Sequence, residues 1–373
     1  MSCSIKLWAG NSEFLKLPRT VGGAFSGDRV QFLETLSKKL LSGDYSATLK
    51  ALGFWLRASH IRQWQLSHTS DKKVLRTPIG RVFIVSPSNV EGLFAYSWAL
   101  SYLMGNQTVV RVSENLTRDQ RDLFKLMAIL DEHTGGLREQ SFISYDKISD
   151  WTQKLSAWCQ LRMLWGSDQS IESIRQTMLP AQSQEWVFPD RYSISILHLN
   201  SANAHKVPKI AEGFARDVTT FQQRACASPK WVFWYKTDKA LQQLFWQSVD
   251  CLVEGGFSKN DQLVASQYLC SMGSYEIYRG NIHVLDSPVI QGAYQHLTGV
   301  VGQSQVGVIE EIVEMLPNNL QSISIAGVTE QEQALLAMHS NVRQFVQCGE
   351  ALTFNRLWDG IDLTDILSKA VRL

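Results

Sequence analysis

The sequence lacks a charge imbalance: 36 lysines and arginines against 35 acidic residues leave a formal net charge of +1 over 373 residues. No broad field attracts nucleic acid or an anionic membrane surface, so neither is an expected partner. The six cysteines (Cys3, Cys159, Cys226, Cys251, Cys270, Cys348) form no Cys-x-x-Cys pair and no zinc-ligand spacing, so no metal is expected. Reduced thiols in a cytoplasmic protein are the simplest account. The amino terminus, Met-Ser-Cys-Ser-Ile-Lys-Leu, has no apolar core of the kind that directs export. Gly92 to Val110 carries no charge, but Gly105-Asn106-Gln107 interrupts it. Its continuous apolar part falls short of the roughly 20 residues that span a bilayer. Also missing is a Gly-x-Gly-x-x-Gly after a strand-like run, the common dinucleotide fingerprint.

What is present describes an ordinary globular chain, 45% apolar and 19% charged, long enough for two cores. Its twelve tryptophans are scattered through apolar segments, which points to core filling and the lining of an apolar cavity rather than base stacking. Asp28 and Gln31 have capping-box spacing ahead of Leu33, Leu36 and Leu40, and a second amphipathic helix starts near Ser46 with Leu49, Leu52 and Leu56 on one face. From Gly80 the pattern becomes strand, helix, strand: Arg81 to Ser86, Gly92 to Met104, Thr108 to Val112. The alternation continues through a helix at Arg118 to Leu130 and strands at Ser141 to Tyr145 and Leu161 to Trp165. Apolar strands alternating with helices imply a doubly wound α/β domain, which takes ligands beyond the carboxyl ends of its strands. Later helices near Asp238 to Gly255 and Asn260 to Cys270, with strands at Ile282 to Leu285 and Ser322 to Ala326, make a second α/β unit.

Three places carry candidate chemistry. The first is Asp217-Val-Thr-Thr-Phe221-Gln-Gln-Arg-Ala-Cys226-Ala-Ser-Pro229, followed by the apolar run Trp231 to Tyr235. Small neighbours leave room for a carbonyl to approach the Cys226 thiol, and Arg224 is a cation able to favour its thiolate. A small buried hydrophobe is the competing account. The second is Trp165-Gly166-Ser167-Asp168, which closes a strand and opens a helix, either as a plain cap or as an anion site. The third is Asn89, just past the first strand, which position alone marks as a turn residue. His198 and His283 lie in strand-like runs, where a structural role is the commoner one.

The motif Asp-Val-x-x-x-Gln-Gln-x-x-Cys-x-Ser-Pro before an aromatic strand resembles the active-site segment of the acyl-CoA reductases. That family is typified by the LuxC fatty-acid reductases and belongs to the aldehyde dehydrogenase superfamily. The likeness extends to the paired amino-terminal helices, the Gly105-Asn106 turn before the Val109 to Ser113 strand, and Trp358-Asp359-Gly360, for which a structural or pocket-wall role is expected. It implies an aldehyde dehydrogenase-like α/β fold: a helical segment at 1–75, a nucleotide-binding domain at 76–205, a catalytic domain at 206–345 carrying Cys226, and a carboxyl-terminal segment at 346–373. Cys226 would be the nucleophile and Asn89 would stabilise the oxyanion, although Glu91 stands where relatives commonly have proline. Gly166 and Ser167 would meet a cofactor diphosphate, and Arg111 and Ser113 its adenosine end. Arg111 occupies the place of a usual lysine, and its bidentate match to a 2′-phosphate favours NADPH, with NADH possible. The Glu-Leu-Gly-Gly motif of oxidative relatives, whose glutamate activates a deacylating water, is absent around Tyr192 to Asn200. That absence favours reduction of an acyl thioester to an aldehyde. Implied partners are a thioester of coenzyme A or of a protein, an acyl-transferring or acyl-carrier protein, and further copies in a homo-oligomer. Competing readings are another oxidoreductase of the superfamily and a non-catalytic nucleotide-binding partner protein.

Overall fold

The computed structural model describes residues 5–18, 22–68, 74–86, 93–286 and 298–372. The chain divides into two units, Met1–Pro189 with Phe354–Leu373, and Asp190–Thr353.

The first unit contains strands β1 (Lys6–Gly10), β2 (Val74–Pro78), β3 (Arg81–Val85), β4 (Gln107–Arg111), β5 (Gln140–Ser144), β6 (Leu161–Trp165) and β7 (Gln184–Phe188). All but β2 share a sheet ordered β1-β5-β4-β3-β6-β7, with β1 antiparallel on its edge and the others parallel. Helices α1 (Gly27–Ser42), α2 (Ala47–Trp55), α3 (Ala58–His68), α4 (Leu93–Leu103), α5 (Arg118–Thr134), α6 (Trp151–Trp158) and α7 (Asp168–Arg175) complete it up to Pro189. In β3, Val82 and Ile84 enter one hydrophobic core while Phe83 and Val85 enter another. A strand covered on both faces must be apolar at every position, which is why it reads as a continuous run.

The second unit has strands β8 (Tyr192–Leu197), β9 (Trp231–Tyr235), β10 (Tyr275–Arg279), β11 (His283–Asp286), β12 (Val300–Val306), β13 (Leu320–Ala326) and β14 (Gln344–Gln347) in the order β10-β11-β12-β9-β8-β13-β14. Only the β10–β11 pair is antiparallel among them. Helices α8 (Val207–Thr219), α9 (Lys239–Leu252), α10 (Lys259–Ser271), α11 (Ile309–Met315) and α12 (Glu330–His339) connect the strands. Trp231, Phe233 and Tyr235 of β9 face one core, Val232 and Trp234 the other. Tryptophan thus serves as core filler, with Trp98, Trp231 and Trp234 fully buried.

The last segment, with β15 (Leu357–Trp358), β16 (Ile361–Asp362), α13 (Leu363–Ile366) and β17 (Ser368–Arg372), returns to the first unit, where β17 pairs with β2. Asp359 and Gly360 both have positive φ (50° and 75°), the backbone of a two-residue hairpin turn between β15 and β16. Trp-Asp-Gly is therefore turn chemistry, and its Trp358 packs edge-on against Trp165 at 6.0 Å.

Three details differ from the sequence expectation. The second unit begins at Asp190 rather than 206, because β8 pairs with β9 and β13 and so belongs with them. Helix α1 is preceded by Ser26 as its N-cap, with Asp28 in its first turn, so Asp28 favours the helix dipole instead of forming a capping box with Gln31. The amino-terminal segment holds a third helix, α3, beyond the two expected.

Candidate active site

Cys226 lies in the connection from α8 to β9. Because β8, β9, β12 and β13 run parallel, that connection places it at the amino edge of the second unit's sheet. Helix α8 passes into a short turn in which Phe221, Gln222 and Gln223 all have left-handed φ, at 57°, 51° and 61°. Each such non-glycine residue costs about 1–3 kcal/mol, so the surroundings must hold the segment. They do so through buried Gln223. Its amide oxygen accepts from Gly299 N at 2.8 Å, and its amide nitrogen donates to the carbonyls of Pro229 (3.0 Å) and Val300 (3.2 Å). One side chain thereby joins both ends of the cysteine loop to the start of β12.

Asp217, at the other end of the motif, accepts from Gly349 N (2.6 Å) and Ala351 N (3.2 Å). Burial pushes its carboxyl up to about 7 against the opposing pull of those two donors. Helix α8 also comes close at Gly213, where a Cβ would lie 2.3 Å from the Cys348 carbonyl oxygen. The motif residues around the cysteine are thus largely the framework that holds its loop.

Within that loop Cys226 is half-buried, Ala225, Ala227 and Ser228 are buried, and Arg224 is exposed. The cation that the fold buries here is Lys230, 2% exposed, whose ammonium donates to the Gln223 carbonyl. Burial pulls Lys230 down to about 7, and the negative charge of Cys226 acts in the opposite direction. Lys230, and not Arg224, is thus the buried cation of this loop. The available signal was its position directly before the wholly apolar Trp231 to Tyr235 run, a strand covered on both faces. Ser228 is fully buried, and its hydroxyl has no hydrogen-bond partner among the described residues.

His198 stands past the carboxyl end of β8, with its ring edge-on to Tyr235 at 5.2 Å and 3.1 Å from the Asn200 amide. Lys230 meets the opposite end of β8 through Ser193. The length of strand between them, roughly 16 Å, leaves His198 out of reach of the cysteine loop. His283 Nδ1 is hydrogen-bonded to the Ser266 hydroxyl at 2.6 Å and lies 3.2 Å from a Glu276 carboxylate oxygen, a buried structural setting.

The cofactor candidates lie in the first unit. Its sheet order places the topological switch between β3 and β6, at whose carboxyl ends a doubly wound sheet takes its ligand. Gly166 and Ser167 follow β6 there. Ser167 caps α7, accepting from Ser170 N at 3.3 Å, and a Cβ added to Gly166 would meet only Ser170 at 3.8 Å, so its backbone is open to close approach. Arg111 ends β4, two strand spacings or roughly 10 Å from the end of β6. Its guanidinium lies 4.8 Å above the Tyr145 ring, and its buried Nε has no partner among the described residues. Ser113 follows and accepts from Asn115 N at 3.2 Å. An open glycine, a helix amino terminus and an unspent guanidinium donor on one edge fit a nucleotide. Asp168 in the first turn of α7 opposes a diphosphate, so the fit to this helix end is weakened by one charge. Asn89 and Glu91 lie outside the described residues. Asn106 is buried, accepting from Gly80 N at 3.0 Å and donating to the Leu367 carbonyl at 2.9 Å, so the Gly105-Asn106 turn is structural.

A family model for acyl-CoA reductase (LuxC) matches residues 17–251. No curated protein matches the sequence. Solved structures similar to this chain include an NAD-dependent aldehyde dehydrogenase from Sinorhizobium meliloti (TM-score 0.69, 11% identity, 93% of this chain and 82% of that one). Another is aldehyde dehydrogenase 21 from Physcomitrella patens in complex with succinate (0.69, 12%, 94% and 85%). A third is an indole-3-acetaldehyde dehydrogenase from P. syringae in complex with NAD+ (0.64, 11%, 93% and 83%). At such identities the likeness shows the fold, which is that of the aldehyde dehydrogenases. Among the described residues no group of histidines, cysteines and carboxylates is arranged to hold a metal ion, and no helix is long and apolar enough to cross a membrane.

Proposed function

We propose, from the premise that the chain belongs to the acyl-CoA reductase (LuxC) family, that it reduces an acyl thioester to an aldehyde through a covalent acyl group on Cys226. The observation that carries this reading is the half-buried thiol on a strained loop held at both ends by Gln223. Such a loop presents its nucleophile in one position, which lowers the entropic part of the barrier.

In the proposed reaction the Cys226 thiolate forms a C–S bond to the thioester carbonyl, whose π electrons move onto oxygen. The Cys226 backbone N–H and the Asn89 amide stabilise that oxyanion. Its collapse expels the carrier thiolate, a good leaving group with a free pKa of about 8.5, and leaves the acyl group on Cys226. A reduced nicotinamide nucleotide, when bound, supplies the hydride that takes this acyl group to the aldehyde level. The Cys226 C–S bond then breaks, releasing aldehyde and regenerating the thiolate, while the departed carrier thiolate takes up a proton from solvent. Gly166 and Ser167 would hold the diphosphate, with Ser113 and Arg111 towards the adenosine, and the bidentate guanidinium favours NADPH over NADH. The carrier of the acyl group is coenzyme A or a protein.

The test follows NADPH absorbance with a panel of acyl-CoAs and acylated carrier proteins, for wild type and Cys226→Ala. Thioester-dependent oxidation that disappears in the variant is the expected result. Turnover that survives in Cys226→Ala overturns the acyl-enzyme, and nucleotide binding without turnover on any thioester favours a non-catalytic nucleotide-binding protein.

A further inference from the structure

Among the described residues two buried arginines each have a carboxylate counter-charge. Arg29 is 7% exposed and pairs with Glu139, and Arg162 is 2% exposed and pairs with Glu185. A buried charge needs such a partner, because removal from water is otherwise too costly. Lys230, equally buried, has none of carboxylate type among the described residues. Its ammonium meets the neutral Gln223 carbonyl, and the titratable group that acts on it is Cys226. The Lys230 backbone is tied to both flanking strands, its N–H donating to the Ser193 carbonyl of β8 and its carbonyl accepting from Gly302 N–H of β12, and Arg224, the loop's other cation, is exposed.

We infer that Lys230 is a positioning residue for the nucleophile: its amine accepts the Cys226 proton, and the resulting ammonium and thiolate are each other's counter-ion inside the loop. The proton moves from Sγ to Nζ, so the pair goes from two neutral groups to two opposite charges with no outside base. Bonding of the same ammonium to the Gln223 carbonyl fixes its position, because Gln223 is the residue whose side chain anchors the loop. Burial lowers Lys230 and the Cys226 charge opposes that shift in part, leaving the amine at about 7, where it can accept a proton near neutral pH. This inference rests on the reading of Cys226 as the nucleophile, but its test requires no turnover.

The experiment measures alkylation of Cys226 by iodoacetamide against pH, resolved by peptide mass spectrometry because Cys251 and Cys270 are also exposed. The ultraviolet thiolate titration of wild type minus Cys226→Ser gives the same ionisation independently. Wild type is expected to titrate at least one unit below the ordinary thiol value of about 8.5. In Lys230→Met the midpoint rises and the rate at pH 7 falls about tenfold or more, one pH unit being a factor of ten in thiolate. Lys230→Arg, which keeps the charge but cannot act as a base, recovers the low midpoint in part. A wild-type midpoint at the ordinary value overturns the inference even if Lys230→Met fails to fold. So does an unchanged profile in folded Lys230→Met. If the shift is present and no thioester is reduced, the pair stands and the proposed reaction falls.

Discussion

Asp217 shows how one residue of a motif serves the site from a distance. It is 1% exposed, its two acceptor bonds reach residues more than 130 positions away, and burial holds its carboxyl at about 7. A carboxyl raised in the folded state binds its proton more tightly there than in the unfolded chain. Its favourable contribution is therefore complete below the unfolded value of roughly 4 and is lost as pH rises through about 7. Urea unfolding at pH 5 and pH 8 is expected to show wild type losing stability relative to Asp217→Asn by on the order of 3 kcal/mol. A pH-independent difference between the two would show that Asp217 does not have its raised value near 7.

At the scale of elements, the amino end of α7 tests the nucleotide assignment. Ser167 and the open Gly166 favour an anion, whereas Asp168 in the first turn repels one. Replacing it by asparagine keeps the size and removes the charge, so Asp168→Asn is expected to tighten NADPH binding about two- to fivefold, the effect of a single exposed charge at a helix end. Fluorescence titration with NADPH reads this directly. Unchanged affinity at low salt would place the diphosphate away from α7. Elements of this kind were legible in the sequence because β6 and α7 announce themselves locally, by an apolar run and then a Gly-Ser-Asp turn. Helix α8 was not, although its amphipathic face packs Val207, Ala211, Phe214 and Val218 into a core. Its start at Val207-Pro208 has no side-chain cap to mark it.

At the scale of the whole molecule, a homo-oligomer is a prediction, and an exposed apolar surface among the described residues says where to test it. Val264 and Tyr268 of α10 and Met272 just after it are 66%, 52% and 48% exposed, and Tyr275 and Ile277 of β10 are 59% and 45% exposed. Strand β10 is at the end of the seven-stranded sheet, and an apolar edge strand beside an apolar helix is self-complementary in a way that suits a symmetric dimer. Sedimentation of the double variant Val264→Glu and Tyr268→Glu is expected to show a smaller species than wild type. A wild-type monomer, or identical sedimentation of both, removes this face as the contact. Domain limits are also a whole-molecule property: residues 354–373 follow the second unit in sequence yet complete the first, because β17 finds its partner in β2.

By itself the sequence determined the alternation of strand and helix and singled out the cysteine loop as the candidate site. Both are local: strands covered on two faces need unbroken apolar runs, and a thiol between small residues before such a run is visible as written. Only the tertiary structure decided what surrounds the thiol. Burial and charge pairing are made by residues remote in the chain, so Lys230 rather than Arg224 became the inner cation, Gln223 became the anchor through Gly299 and Val300, and His198 went to the far end of its strand. An ionisable group's strength is set by the water it loses and the charges it meets, and neither exists until the chain has folded.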